Sequence, residues 1–127
     1  MLVSRFTSKL MSKRLVSTLD ITINLKTMSE YDGLSLPRYV YRSKKFTIWI
    51  DPTMHKDAQI KVLAHELTHI KQWARGEFYE LSDGISYSWK GKRIRPKAED
   101  YWLLPWEVEA NGYQESLYED YNRHATN

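Results

Sequence analysis

Apolar residues along this chain change period several times, and each change marks an element. Between Asp57 and Arg75 they recur as Ile60, Leu63, Leu67, Ile70 and Ala74, with no Gly or Pro interrupting. Residues three and four apart share one face of a helix, so these five form a narrow stripe for a core. Gly76 stands where a helix C-cap glycine belongs. A second helical stripe follows Pro105, through Trp106, Ala110, Tyr113, Leu117 and Tyr121. Proline suits a first helical turn. Two other stretches alternate instead. Asp20 to Lys26 puts Ile21, Ile23 and Leu25 on one side, and Phe46 to Ile50 sets Phe46, Ile48 and Ile50 against Thr47 and Trp49. Both predict strands. A polar turn is expected around Tyr31-Asp32-Gly33, and Asp51-Pro52 ends the second strand. Tyr87 to Ile94 predicts a hairpin turning at Lys90-Gly91-Lys92. Near the N-terminus, Val3, Phe6, Leu10 and Met11 fit an amphipathic helix facing the core.

These elements predict an α+β fold, with a small mixed or antiparallel sheet packed on helices. With 127 residues the chain suffices for one domain, spanning 1–127, with a single core. Aromatic residues make up 13%, more than a disordered chain would carry. The absence of cysteine excludes a disulfide framework and thiolate metal sites. It agrees with a reducing compartment, and a cytoplasmic location is expected. The longest apolar run, Tyr101 to Trp106, has six residues, far short of a membrane span. Met1 to Leu19 carries Arg5, Lys9, Lys13 and Arg14, with Ser and Thr and no acid, which also fits a mitochondrial transit peptide. The core-facing helix is the preferred reading. Lys90, Lys92, Arg93, Arg95 and Lys97 put five cations into eight residues. With a net charge of only +3, a solvated hairpin is favoured over a nucleic-acid interface.

The chemistry sits in the first long helix, where residues 65–69 read His65-Glu66-Leu67-Thr68-His69. Positions i and i+4 lie one turn apart on one face, so two imidazoles can bind one Zn²⁺. The glutamate after the first histidine can then reach a water in the open position. His65 and His69 fall roughly opposite the apolar stripe, with Lys61, Thr68 and Lys71 in an arc read as solvent-facing. A catalytic zinc usually has three protein ligands. A third histidine six residues on is absent, since Arg75 stands there, and a carboxylate from Pro105-Trp106-Glu107-Val108-Glu109-Ala110-Asn111 is the better candidate. Glu107 and Glu109 flank the apolar stripe of their helix on opposite sides, and periodicity does not choose between them. An acidic first turn would also suit the helix dipole alone.

His-Glu-x-x-His followed by Glu-x-x-Ala-Asn resembles the gluzincin type of zincin, zinc peptidases whose third ligand is a glutamate on a later helix. The Glu-x-x-Ala-Asp/Asn pattern occurs in CAAX-type endopeptidases and in the ImmA/IrrE-like regulatory peptidases. The resemblance covers roughly residues 46 to 114 and extends to small metallopeptidase-like proteins of phage and bacteria. It implies a minimal zincin-like domain in which His65, His69 and Glu107 bind Zn²⁺, Asn111 supports the site, and Glu66 is the general base. The implied function is hydrolysis of a peptide bond in a peptide or protein substrate. The Phe46 to Ile50 strand is then expected as an exposed rim pairing with extended substrate. Tyr113, Tyr101, Tyr87 and His55 are candidate donors to an oxyanion. Trp49 and Trp73 are candidates to line a pocket, although tryptophan is more often core. The alternative is a non-catalytic zincin-fold module acting on or beside a regulator or nucleic acid. No membrane partner is expected, and the sequence leaves the oligomeric state open.

Overall fold

The computed structural model describes residues 2–26, 33–36 and 44–125. Within them the chain runs α1 (Leu2–Leu10), α2 (Lys13–Val16), β1 (Asp20–Leu25), β2 (Gly33–Leu36), β3 (Lys45–Ile50), α3 (Lys56–Ala74), β4 (Phe78–Glu80), β5 (Tyr87–Trp89), β6 (Lys92–Ile94), a 3-10 segment (Ala98–Leu103) and α4 (Pro105–Ala125). The fold is α+β with two three-stranded sheets. One is mixed, ordered β1-β3-β2, with β1 parallel and β2 antiparallel to β3. The other is the antiparallel meander β4-β5-β6.

Helix α3 is the axis of the molecule. It contacts α1 and the mixed sheet, β4 beyond its C-terminus, and α4 along its length. His55 caps its start, its Nδ1 accepting from the backbone N–H of Asp57 at 3.2 Å. That role uses His55 as a cap and leaves it exposed. The helix ends as Gly76 predicts. Gly76 takes φ 73°, the left-handed region where a side chain is unfavourable. The Glu77 N–H then donates to Gln72 O at 2.9 Å and the Gly76 N–H to Trp73 O at 3.0 Å, which is a Schellman turn.

One core joins these parts. Phe6, Leu10 and Met11 from the N-terminal segment meet Phe46, Ile48 and Ile50 of β3 and Ile60, Leu63, Leu67 and Ile70 of α3. Residues 2–10 therefore form the amphipathic helix that their spacing predicts, and Arg5 ties it to α4 through Asp120 at 2.8 Å. The hairpin also forms where expected. Lys90 and Gly91 both have positive φ, 49° and 86°, as a two-residue type I′ turn requires. Trp73 is core, stacked at 5.8 Å on Phe46 and 6.5 Å on Phe78.

Three expectations need correcting. Phe46 to Ile50 is no exposed rim: β3 is the central strand, hydrogen-bonded on both edges. Its strict alternation reflects one face fully buried on α3, with Phe46, Ile48 and Ile50 all below 6% exposed. Thr68 and Lys71 are not solvent-facing but 0% and 3% exposed, because α4 covers the side of α3 opposite the sheet. Tyr113 does not join the core stripe of α4; it is exposed, and the buried face turns toward Glu107 and Leu117. Leu25 is also exposed, at the end of β1. The expected turn at Tyr31-Asp32 lies outside the described residues.

Truncating the completely buried Phe6 removes a large aromatic contact between α1 and α3. Phe6→Ala is expected to lower unfolding free energy by roughly 3–5 kcal/mol. Urea titration followed by circular dichroism would measure it, and a loss under about 1 kcal/mol would mean that α1 adds little to the core.

Candidate metal centre

The packing of α4 on α3 brings His65, His69 and Glu107 together. A ring nitrogen of each histidine and a carboxylate oxygen of Glu107 all lie within 4.8 Å of one another, so the group could hold a metal ion. Nε2 of His65 is 3.3 Å from Glu107 Oε1, and Nε2 of His69 is 3.2 Å from Glu107 Oε2. The two Nε2 atoms are 3.2 Å apart. All three side chains are largely withdrawn from water, with relative exposures of 18% for His65, 10% for His69 and 7% for Glu107.

The surrounding hydrogen bonds decide which ring nitrogen carries the proton. Gln72 donates through Nε2 to the carbonyl oxygen of Trp106 at 3.0 Å and to Glu109 Oε1 at 3.2 Å. Both partners only accept, so the orientation of the amide is fixed. Its Oε1 then faces Nδ1 of His69 at 2.8 Å and must accept a proton from it. Gln114 repeats the device. Its Nε2 donates to Glu115 Oε2 at 2.9 Å, and its Oε1 accepts from Nδ1 of His65 at 3.0 Å. Each neutral imidazole therefore presents Nε2 as a lone pair, and both lone pairs point to the same place as the carboxylate. Glu107 Oε1 is buried and accepts no hydrogen bond. Bare acceptors gathered in a low-dielectric pocket repel one another unless a cation lies among them. That is the donor chemistry of a metal site, with the outer partners that metal-ligating histidines normally have.

The charges agree. Burial raises the Glu107 carboxyl, but its close approach to the two imidazoles outweighs that and holds Glu107 down at about 2. Burial lowers His69, yet the Glu107 carboxylate, the Glu66 charge and the Gln72 carbonyl together raise it above its ordinary value of 6.5. Glu66 follows His65 on α3 and is half-buried, close enough for its charge to act on His69.

Glu109 has a different role. It faces the other flank of α4, where it pairs with Lys71 Nζ at 2.6 Å, Lys90 Nζ at 3.4 Å and Gln72. These partners outweigh burial and lower its pKa. Lys71 is buried because Glu77, at 2.9 Å, and Glu109 neutralise it from two sides. Asn111 hydrogen-bonds neither imidazole among the described residues. The imidazole Nδ1 atoms meet Gln72 and Gln114 instead, which the pattern of apolar residues did not single out. The one available signal was spacing: Gln114 lies seven residues after Glu107, about 20° away on the same helical face.

The basic hairpin is partly neutralised, with Lys90 on Glu109 and Arg93 on Asp83. No helix among the described residues is long and apolar enough to cross a membrane. No protein-family model, curated protein or solved structure matches the chain.

Two outcomes are expected from metal titration against a chromophoric chelator. Gln114→Ala should weaken divalent-metal affinity about 10–100-fold while leaving the unfolding of the metal-free protein little changed. Affinity should also fall as pH is lowered, because a proton competes with the ion for the His69 ring. The folded pKa of His69 is raised, so its contribution to metal-free stability is fully present below about 6.5 and lost as pH rises through the higher folded value. Metal affinity gains over that same upper window, and proton release measured calorimetrically in two buffers would check it.

Proposed function

We propose that this protein is a zinc-dependent metallopeptidase of the zincin type, a minimal domain in which α3 supplies two ligands and α4 the third. The observation that carries the reading is the meeting of two tautomer-fixed Nε2 lone pairs with the buried Glu107 carboxylate, beside a glutamate on the same helix. Two nitrogens and one carboxylate oxygen from three side chains are a catalytic zinc set, which leaves a coordination position open.

A bound Zn²⁺ supplies Lewis acidity, lowering the pKa of a water toward about 7 and polarising a carbonyl. The residues do the rest. His65 and His69 are held in one orientation by Gln114 and Gln72, so the ligand geometry is set before any substrate arrives. Glu107 gives the site a negative charge that offsets the ion. Glu66 takes the proton of the attacking water on its carboxylate and returns it to the leaving nitrogen, splitting the amide into acid and amine.

The chain purified without chelator is expected to hold about one zinc per molecule by elemental analysis. Glu66→Gln should keep that metal and lose roughly 10²–10⁴-fold in hydrolysis of a denatured protein substrate, scored as new termini by mass spectrometry. Metal content far below one per chain would sink the reading, as would unchanged hydrolysis by the variant.

A further inference from the structure

The face of α4 turned away from α3 is uncovered, and its character changes along its length. Val108, Gly112, Glu115 and Glu119 recur there at helical spacing, and all four are exposed. At the N-terminal end, Trp102 and Leu103 of the 3-10 segment are 71% and 76% exposed, Tyr101 is 47% and Val108 is 54%. Further along α4 an open groove of about 320 Å³ is lined by Glu109, Gly112, Tyr113 and Ser116. Gly112 keeps it open, since a Cβ there would meet nothing within 4 Å.

We propose that this face pairs with itself. Two copies of the chain pack α4 antiparallel about a two-fold axis near Val108, and Trp102 of each copy enters the groove at Gly112 of the other. Three observations support a second copy as the occupant. The first is self-complementarity. Trp102 stands six residues before Val108, and Tyr113 and Ser116 stand five and eight after it. A two-fold axis between a projecting side chain and a groove brings each onto the other, twice. The second is area. Aromatic side chains bury about 150–250 Å² each, so these exposed apolar residues offer on the order of 400 Å² per copy, about half of the ~800 Å² that a stable interface takes from each partner. The groove and the charged flanks extend the same face. A contiguous apolar patch of this size marks a contact surface. The third is charge. Lys92, Arg95 and Lys97 precede the patch, are exposed and make no ion pair among the described residues. Glu119 at the other end is exposed and likewise makes none. Lys97 and Glu119 lie eleven residues to either side of Val108, so antiparallel packing sets the basic end of one copy against the acidic end of the other. Glu115 and Glu119 on this face, with Glu99 and Asp100 following the cations, disfavour an anionic membrane as the occupant. The pairing does not depend on the peptidase reading.

Sedimentation velocity on the full chain, up to about 300 µM, should show a monomer–dimer equilibrium with a Kd of roughly 1–100 µM. Trp102→Asp, at an exposed position, should weaken it about tenfold or more. Gly112→Gln fills the groove and suits a helix interior better than glycine, so the monomer should unfold no more easily. It should still weaken the dimer about tenfold, which separates a blocked groove from a damaged fold. Glu119→Lys should weaken pairing about threefold, and adding Lys97→Glu should restore it. A monomer at every concentration overturns the inference, as does a dimer indifferent to both Trp102→Asp and Gly112→Gln. Co-sedimentation of a monomeric chain with vesicles of about 70% phosphatidylcholine and 30% phosphatidylserine, lost in Trp102→Asp, gives the patch to lipid and also overturns it.

Discussion

Two imidazole nitrogens 3.2 Å apart, each with its proton on the far side of the ring, stand against a carboxylate at 3.2 to 3.3 Å. In water such acceptors would turn to solvent. Here they are held by apolar packing that has nothing to do with the site's chemistry. Leu67 and Ile70 of α3 and Ala110 and Leu117 of α4 are buried, and Ala110, completely so, lets the helices approach. The mutual repulsion is thus stored in the contact between two helices, and a cation in the gap relieves it. A metal bound there would couple to the α3–α4 interface, linking ion binding to folding stability through the same surface.

Much of the architecture was legible because local rules and tertiary packing agree there. The Gly76 stop, the Lys90-Gly91 turn and the alternation of β3 each have a backbone or burial cause readable from residue type. The failures share a different cause. Periodicity describes one element at a time, and says nothing about what covers its second face. Lys71 and Thr68 looked exposed because their polarity was taken as the face's destination. The face is in fact buried under α4, and Lys71 is tolerated there only because Glu77 and Glu109 meet it. The placing of β3 as a rim failed similarly, since β2 occupies an edge that the sequence did not mark.

The candidate site was half legible. The pattern at residues 65–69 names two candidate ligands and a neighbouring carboxylate by helical geometry alone. The choice between Glu107 and Glu109 was not accessible from the pattern, because the two lie about 200° apart on α4 and either flank could have met the imidazoles. What separates them is the lysine of α3. Lys71 holds Glu109 on its own flank, and that leaves the Glu107 flank to the histidines. Gln72 and Gln114 are glutamines among many polar residues, and only the partners on their amide nitrogens reveal their part.

Those partners also explain why the end of α3 and the site behave as one unit. The Gly76 turn returns the Glu77 N–H to the backbone oxygen of Gln72, and sends the Glu77 carboxylate onto Lys71. Lys71 in turn shares Glu109, and Glu109 accepts from the Gln72 amide that sets the His69 tautomer. A proton position at the metal centre therefore depends, through four polar contacts, on a left-handed glycine at a helix terminus. The contacts are buried or partly buried, and each group is positioned by the next. Such a chain is costly to leave half-made, which gives it a single arrangement and the imidazoles a single orientation.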